Sequence, residues 1–220
     1  MFNNSGIVVK SHDAVPWQDY RASDEGMVVV YTSDPVSELP IREVPEELPS
    51  EIMPEPHYES GTFGFYGCSR TKIRSAFVKS KLRYIFFMTK YAGTRVEHRD
   101  EYFVTGYYHI ARTYDVQRLH LRYLEDPACI NADACIALRA DEYAFVSLDD
   151  ALAVNNEVLE EWEHTSKLTK QSRIMLDDAK TSSLLDYLKS KENIIDTYIE
   201  ETARLSPVEE EEDEDEDGGE

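Results

Sequence analysis

Long apolar runs are missing from this chain. None exceeds about five residues, against the roughly 20 that a helix needs to cross a bilayer. No membrane-spanning helix and no membrane partner are therefore expected. Met1-Phe2-Asn3-Asn4 opens no basic segment followed by an apolar stretch, the pattern of a secretion signal. Cysteine is scarce: only Cys68, Cys129 and Cys135 occur. An odd count without a signal argues against a disulfide scaffold, and the expected location is the cytoplasm. Cys129 and Cys135 have five residues between them, and no CxxC, HxH or HxxxH spacing exists. No metal centre is announced, and buried thiols are the expected state of the cysteines. Also missing are GxSxG, a phosphate-binding glycine loop ending in lysine, and GxGxxG. The glycines of "GTFGFYG" at 61–67 lack the lysine and the helix start that such a loop needs. These absences call for no cofactor and weaken the case for an enzyme.

Positive charge is also in short supply overall, with 23 Lys and Arg against 44 Asp and Glu in 220 residues, a net charge of −21. The total hides an uneven layout. Residues 209–220, "EEEEDEDEDGGE", hold ten acids and no base. Residues 34–59 hold eight acids, Arg42 as sole base, and six of the nine prolines. Residues 68–122 reverse the sign, with twelve bases less four acids giving a local +8. Such asymmetry says more about partners than the total does.

What is present is a β-rich pattern. "GIVVK" (6–10) and "MVVVYT" (27–32) are Val-rich and suit a pleated surface. Strands are predicted again at "GTFGFYGCS" (61–69), "YIFFMT" (84–89), "EYFVTGYYHI" (101–110), "CIALRA" (135–140) and "YAFVS" (143–147). Between them, "RTKIRSAFVKSKLR" (70–83) spaces Ile73 and Phe77 for a short basic helix. From Ser147, a plausible N-cap with Asp150 three residues on, the chain reads as helical. A last helix from about Ser182 places Leu184, Leu185, Leu188, Ile195, Tyr198 and Ile199 roughly on one face.

The expected fold is α+β: a small mixed or antiparallel, barrel-like sheet with C-terminal helices and acidic disordered arms. Its parts are N-terminal strands of the core at 1–33, an acidic proline-rich loop or linker at 34–59, and a β-rich core at 60–147. A helical region at 148–206 and a disordered acidic tail at 207–220 follow.

Bases and rings interleave through the cationic segment. Phosphates need cations, and unstacked bases need flat aromatic faces, each stack being worth about 1–3 kcal/mol. The candidate backbone-holding residues are Arg70, Lys72, Arg74, Lys81, Lys90, Arg95 and Arg99, and the candidate stacking rings are Tyr66, Tyr91 and Tyr108. The bland alternative makes the rings core and the bases a solvated face.

The stretch "RYIFFMTKYAG…EYFVTGYYHIAR", about 84–112, resembles PUA-like barrel families such as EVE, ASCH and YTH domains. In their outline a strand with a polar end, here Thr89-Lys90, precedes a loop and a strand with a central glycine, here Gly106. The resemblance implies a small barrel whose cleft reads RNA or a modified base, sandwiched by rings such as Trp17, Tyr66 or Tyr91. The acidic proline-rich arm has no counterpart in those families.

Three functions follow. The leading expectation is a module that binds nucleic acid, RNA or modified DNA, or reads a modified nucleotide. The second is an acidic protein–protein interaction or DNA-mimic protein whose arms meet a basic protein partner. The third is a nucleotide-acting hydrolase or transferase with His98, Asp100 and Glu101 as its site.

Overall fold

The computed structural model describes residues 24–31, 65–68, 77, 82–93, 95–114 and 136–196; for 65–68, 112–114, 136, 137 and 139 it describes the backbone alone. The strands are β1 (Gly26–Tyr31), β2 (Phe65–Cys68), β3 (Tyr84–Lys90), β4 (Tyr102–Tyr114), β5 (Ile136–Phe145), β6 (Leu152–Ala153) and β7 (Arg173–Leu176). Helices α1 (Asn156–Glu161) and α2 (Asp178–Lys189) and two single 3-10 turns, Val96–His98 and Leu148–Asp150, complete the described elements.

One mixed sheet collects the strands in the order β2-β5-β4-β3-β1-β7, with β6 extending the β5 side of β4. β1 and β3 are parallel, Gly26 opposite Tyr84 through Tyr31 opposite Thr89, and β7 lies antiparallel on the outer side of β1. Every other pairing is antiparallel. The α+β expectation is met at this level. The barrel is not: among the described residues the sheet is open, ending in β2 on one side and β7 on the other.

The sequence dictates this core directly. A strand buried on both faces reads as a continuous apolar run. "MVVVY" and "YIFFM" are such runs, and all of β1 and Ile85–Thr89 of β3 are buried. Each fully buried ring or branched side chain contributes about 1.5–3 kcal/mol relative to exposure. Phe87 meets Tyr108 edge-on at 4.7 Å and Phe86 meets Tyr107 at 6.3 Å, on neighbouring strands. Of the expected basic helix at 70–83, Phe77 is helical and fully buried, as the spacing predicts, while Leu82, also buried, and Arg83 lie outside any helix.

A polar thread crosses this interior. The Tyr31 hydroxyl pairs with Thr105 Oγ1 at 3.1 Å. Thr105 also donates to the Phe87 carbonyl, and Thr89 to that of Tyr31. All three groups are buried and all three are satisfied, which is what burial of a hydroxyl requires.

The β4 strand changes partner midway. Its Gly106–Tyr114 half pairs with β5, and Phe103–Val104 pair with β6. The crossover is at Gly106, where a Cβ would stand 2.3 Å from the Ala144 carbonyl oxygen. Only glycine permits that approach.

Within the described residues 148–196, the expected helical region at 148–206 is only partly helical. Ser147 does precede a turn, but it is a single 3-10 turn, after which the chain adds β6, α1 and β7. Ser147 Oγ reaches the Asp150 carboxylate at 3.2 Å and caps no backbone donor. The last helix starts at Asp178, four residues before the expected Ser182, because Asp177 accepts from Lys180 N at 2.9 Å. It buries Leu184, Leu185 and Leu188, as its spacing predicts. Ile195 is buried beyond the helix end, while Tyr198 and Ile199 lie outside the described residues. Asn193 fastens this exit to the sheet by accepting from Phe145 N and donating to the Tyr143 carbonyl. The 6–10 strand and both acidic arms also lie outside the described residues. No described helix is long and apolar enough to cross a membrane.

Candidate nucleic-acid interface

Parallel strands bring their carboxyl ends to the same edge of a sheet, and crevices form there. β1 ends at Tyr31 and β3 at Lys90. A cleft of about 530 Å³ opens at this edge, lined by Val30, Tyr31, Lys90, Tyr91, Gly93, Arg99, Asp100, Tyr102 and Lys170 among others. A second hollow of about 880 Å³ continues from it. Lys90, Asp100 and Tyr102 line both, and Asn156, Leu159, Glu160, His164, Thr165, Ser166 and Lys167 line the second alone.

The local charge is inverted relative to the chain. Lys90, Arg99, Lys167 and Lys170 face the cleft against Asp100 and Glu160. Lys90 Nζ is engaged by the Asp100 carboxylate. That contact holds the Lys90 ammonium above its usual range and the Asp100 carboxyl below its own. Arg99 and Lys167 form no ion pair among the described residues.

The β3–β4 loop is built to present these groups. Tyr91 folds back so that its hydroxyl accepts from Arg95 N at 2.9 Å. Gly93 permits that fold, since a Cβ there would stand 2.5 Å from the same hydroxyl. Asp100 closes the loop with φ at 69°, a left-handed conformation that Asp tolerates better than most residues. Its neighbour Arg99 is exposed.

Of the residues singled out in the sequence, Lys90, Arg99 and Tyr91 meet at the cleft. Arg95 turns away to Asp149 at 2.6 Å. Tyr108 is 3% exposed and Tyr91 4%. Both are interior rings, Tyr108 packed edge-on against Phe87 and Tyr143, so neither offers a face for stacking. Alternation along β4 cannot reveal this, because Phe103 to Tyr108 are buried on both faces. Arg70, Lys72, Arg74, Lys81 and Trp17 lie outside the described residues, and Tyr66 is described only through its backbone, opposite Leu138.

Sequence reasoning missed Tyr102, Lys167 and Lys170. Tyr102 is half-buried and lines both hollows, with its hydroxyl directed to the Leu168 carbonyl at 3.5 Å. The segment "HTSKLTK" at 164–170, outside the +8 stretch, carries two of the four cleft cations.

His98, the centre of the enzymatic reading, bonds Glu101 at 2.9 Å and sits edge-on to Phe103 and Tyr91. It braces the loop and does not line either hollow. Among the described residues no cluster of His, Cys, Asp and Glu side chains is placed to hold a metal.

A second polar cluster lies on the α2 side of the sheet. Glu142 accepts from the Tyr107 hydroxyl at 2.7 Å and from Lys189 Nζ at 2.8 Å, and Lys189 stands over the Tyr107 ring. Lys189 and then Tyr107 hold the Glu142 carboxyl below its usual range. Burial, followed by Glu142, pushes the Tyr107 phenol up. His109 pairs with Asp141 at 2.5 Å beside the Tyr84 ring. These groups satisfy one another and clasp α2 to the sheet.

No protein-family model matches the chain, and no curated protein or solved structure does either.

Proposed function

We propose that this chain is a nucleic-acid-binding module whose phosphate-holding surface is the cleft at the carboxyl ends of β1 and β3. The observation that carries the reading is the convergence of Lys90, Arg99, Lys167 and Lys170 on one concavity. In a chain with nearly two acids per base, a concave site whose described lining holds twice as many cations as carboxylates is out of keeping with chance solvation. Concavity matters because low-dielectric walls focus the field of such a cluster. Lys90 and Arg99 come from the β3–β4 unit within 84–112, the stretch that resembles PUA-like domains.

The cations hold phosphate oxygens, and the sheet supplies a rigid rim for them. Arg99 presents a planar fork suited to bidentate phosphate contact, whereas the lysines act as point charges. Tyr102 replaces the buried Tyr91 and Tyr108 as the ring available to a base.

The test is titration of a labelled single-stranded oligonucleotide with the full chain and with the R99A/K167A double variant. Both side chains lack an ion-pair partner among the described residues, so their removal leaves the unfolding midpoint within error. Affinity falls at least about tenfold, given two lost phosphate contacts. Equal affinity of variant and parent would refute the assignment of this cleft.

A further inference from the structure

The cleft has two lobes, and that division bears on what it holds. Resting on the phosphate reading above, we propose that it accepts two consecutive nucleotides of single-stranded RNA, one per lobe, with the phosphate between them at Lys90 and the Tyr102 ring between the two bases.

The volumes, about 530 and 880 Å³, each fall within the roughly 300–1,000 Å³ that encloses one small ligand. Among the described residues the lobes meet at Lys90, Asp100 and Tyr102, a cation, its counter-ion and a ring. A linker phosphate and a stacked base need that combination. The outer cations are divided as well: Arg99 and Lys170 in the first lobe, Lys167 in the second.

The second lobe carries polar groups without partners. Asn156, Thr165 and Ser166 side chains make no hydrogen bond among the described residues. His164 Nε2 is buried and has no hydrogen-bond partner among the described residues, an arrangement that asks for an explanation in a native fold. Hydroxyl and amide groups of this kind pair with a ribose 2′-hydroxyl, which deoxyribose lacks. Bases entering separate pockets must be unstacked from a complement, which excludes a duplex.

Backbone geometry marks the same place. Asp100 and Glu163 are the two non-glycine residues with positive φ among the described residues, at 69° and 57°. The first lines both lobes and the second adjoins His164. Such conformations persist where surrounding structure enforces them, and they collect at ligand sites.

In the free protein Asp100 occupies the ammonium that the linker phosphate takes. The carboxylate is therefore a built-in competitor. Asn keeps the same left-handed turn while removing the charge, so D100N tests the competition without disturbing the loop.

Calorimetric or anisotropy titration of the full chain separates the outcomes. The probes are adenosine 5′-monophosphate, the 5′-phosphorylated diadenylate, a hexa-adenylate, its deoxy counterpart and a duplex RNA. The diadenylate binds about tenfold tighter than the mononucleotide, as one added stack and phosphate predict. The hexamer gains no more than about twofold further, once both lobes are full. D100N tightens the diadenylate several-fold, and Y102L returns it toward the mononucleotide. Equal affinity for the mononucleotide and the diadenylate overturns the two-lobe inference while leaving the phosphate site standing. Equal affinity for the deoxy hexamer, or for the duplex, overturns the single-stranded RNA assignment. No binding by any probe overturns both this inference and the reading beneath it.

Discussion

Single side chains decide whether this sheet holds its shape. Gly106 sits where β4 exchanges β5 for β6, and the approach of the Ala144 carbonyl leaves no room for a methyl group. Gly106→Ala is expected to cost at least about 1–3 kcal/mol, read as a lower urea midpoint with unchanged slope. Midpoints within error of the parent would contradict the crossover geometry. Glu142 gives a pH-dependent counterpart. Its carboxyl titrates lower in the folded state than in the unfolded one. The stability it contributes is complete above its unfolded value of about 4.3 and is lost as pH falls through the lower folded value. About half of the side chain is exposed, so screening limits the contribution to a few tenths to about 1 kcal/mol. Glu142→Gln should show that deficit at pH 7 and converge with the parent as pH falls below the unfolded value and through the lower folded one. A deficit that persists unchanged once acid has protonated the carboxyl in both states would assign the loss to packing.

Residue-level legibility was uneven. Lys90 and Arg99 stood out in the sequence because bases beside rings are visible in one dimension. The burial of Tyr91 and Tyr108 was not visible, because a strand covered on both faces has no polar side to betray its orientation. Lys167 and Lys170 lie nearly eighty residues beyond Lys90, and only the fold brings them to it.

At the scale of elements, β1, β3, β4 and β5 were legible because valine and aromatic runs leave few alternatives to a strand. "CIALRA" and "YAFVS" read as two strands and form one, Ile136–Phe145, because pairing with β4 resumes across a bulge at Asp141, with Ala140 opposite Ile110 and Glu142 opposite His109. The β7 strand was missed. "RIML" is four residues long, follows a polar stretch, and takes its identity from pairing with β1. Ile174 and Leu176 point inward while Met175 is 47% exposed, which is strand alternation too brief to separate from a helix turn. The α2 start was misplaced for a similar reason. Its apolar face begins later than its cap, and the cap fixes the first turn. Asp177→Ala removes the bond to Lys180 N and should cost about 0.5–2 kcal/mol. Urea unfolding measures it, and an unchanged midpoint would show that packing of Leu184, Leu185 and Leu188 holds the helix start unaided.

For the whole molecule, the net charge of −21 and the cationic cleft act over different distances. The Debye length is about 10 Å at 0.1 M salt. Acids far from the cleft are screened there, while phosphate bound against Arg99 and Lys167 is not. The expected barrel gave way to an open mixed sheet: among the described residues its end strands, β2 and β7, do not pair with each other. Within that sheet β1 and β3 still set two parallel carboxyl ends side by side, and the cleft forms over them. The central claim is that this concavity holds phosphates. Its most direct test is the affinity of the unmodified chain for a single-stranded oligonucleotide between 0.1 and 0.5 M salt. Two to four phosphate contacts predict a slope of log affinity against log salt of about −1.4 to −2.8. A slope near zero, or no binding at 0.1 M, would contradict it.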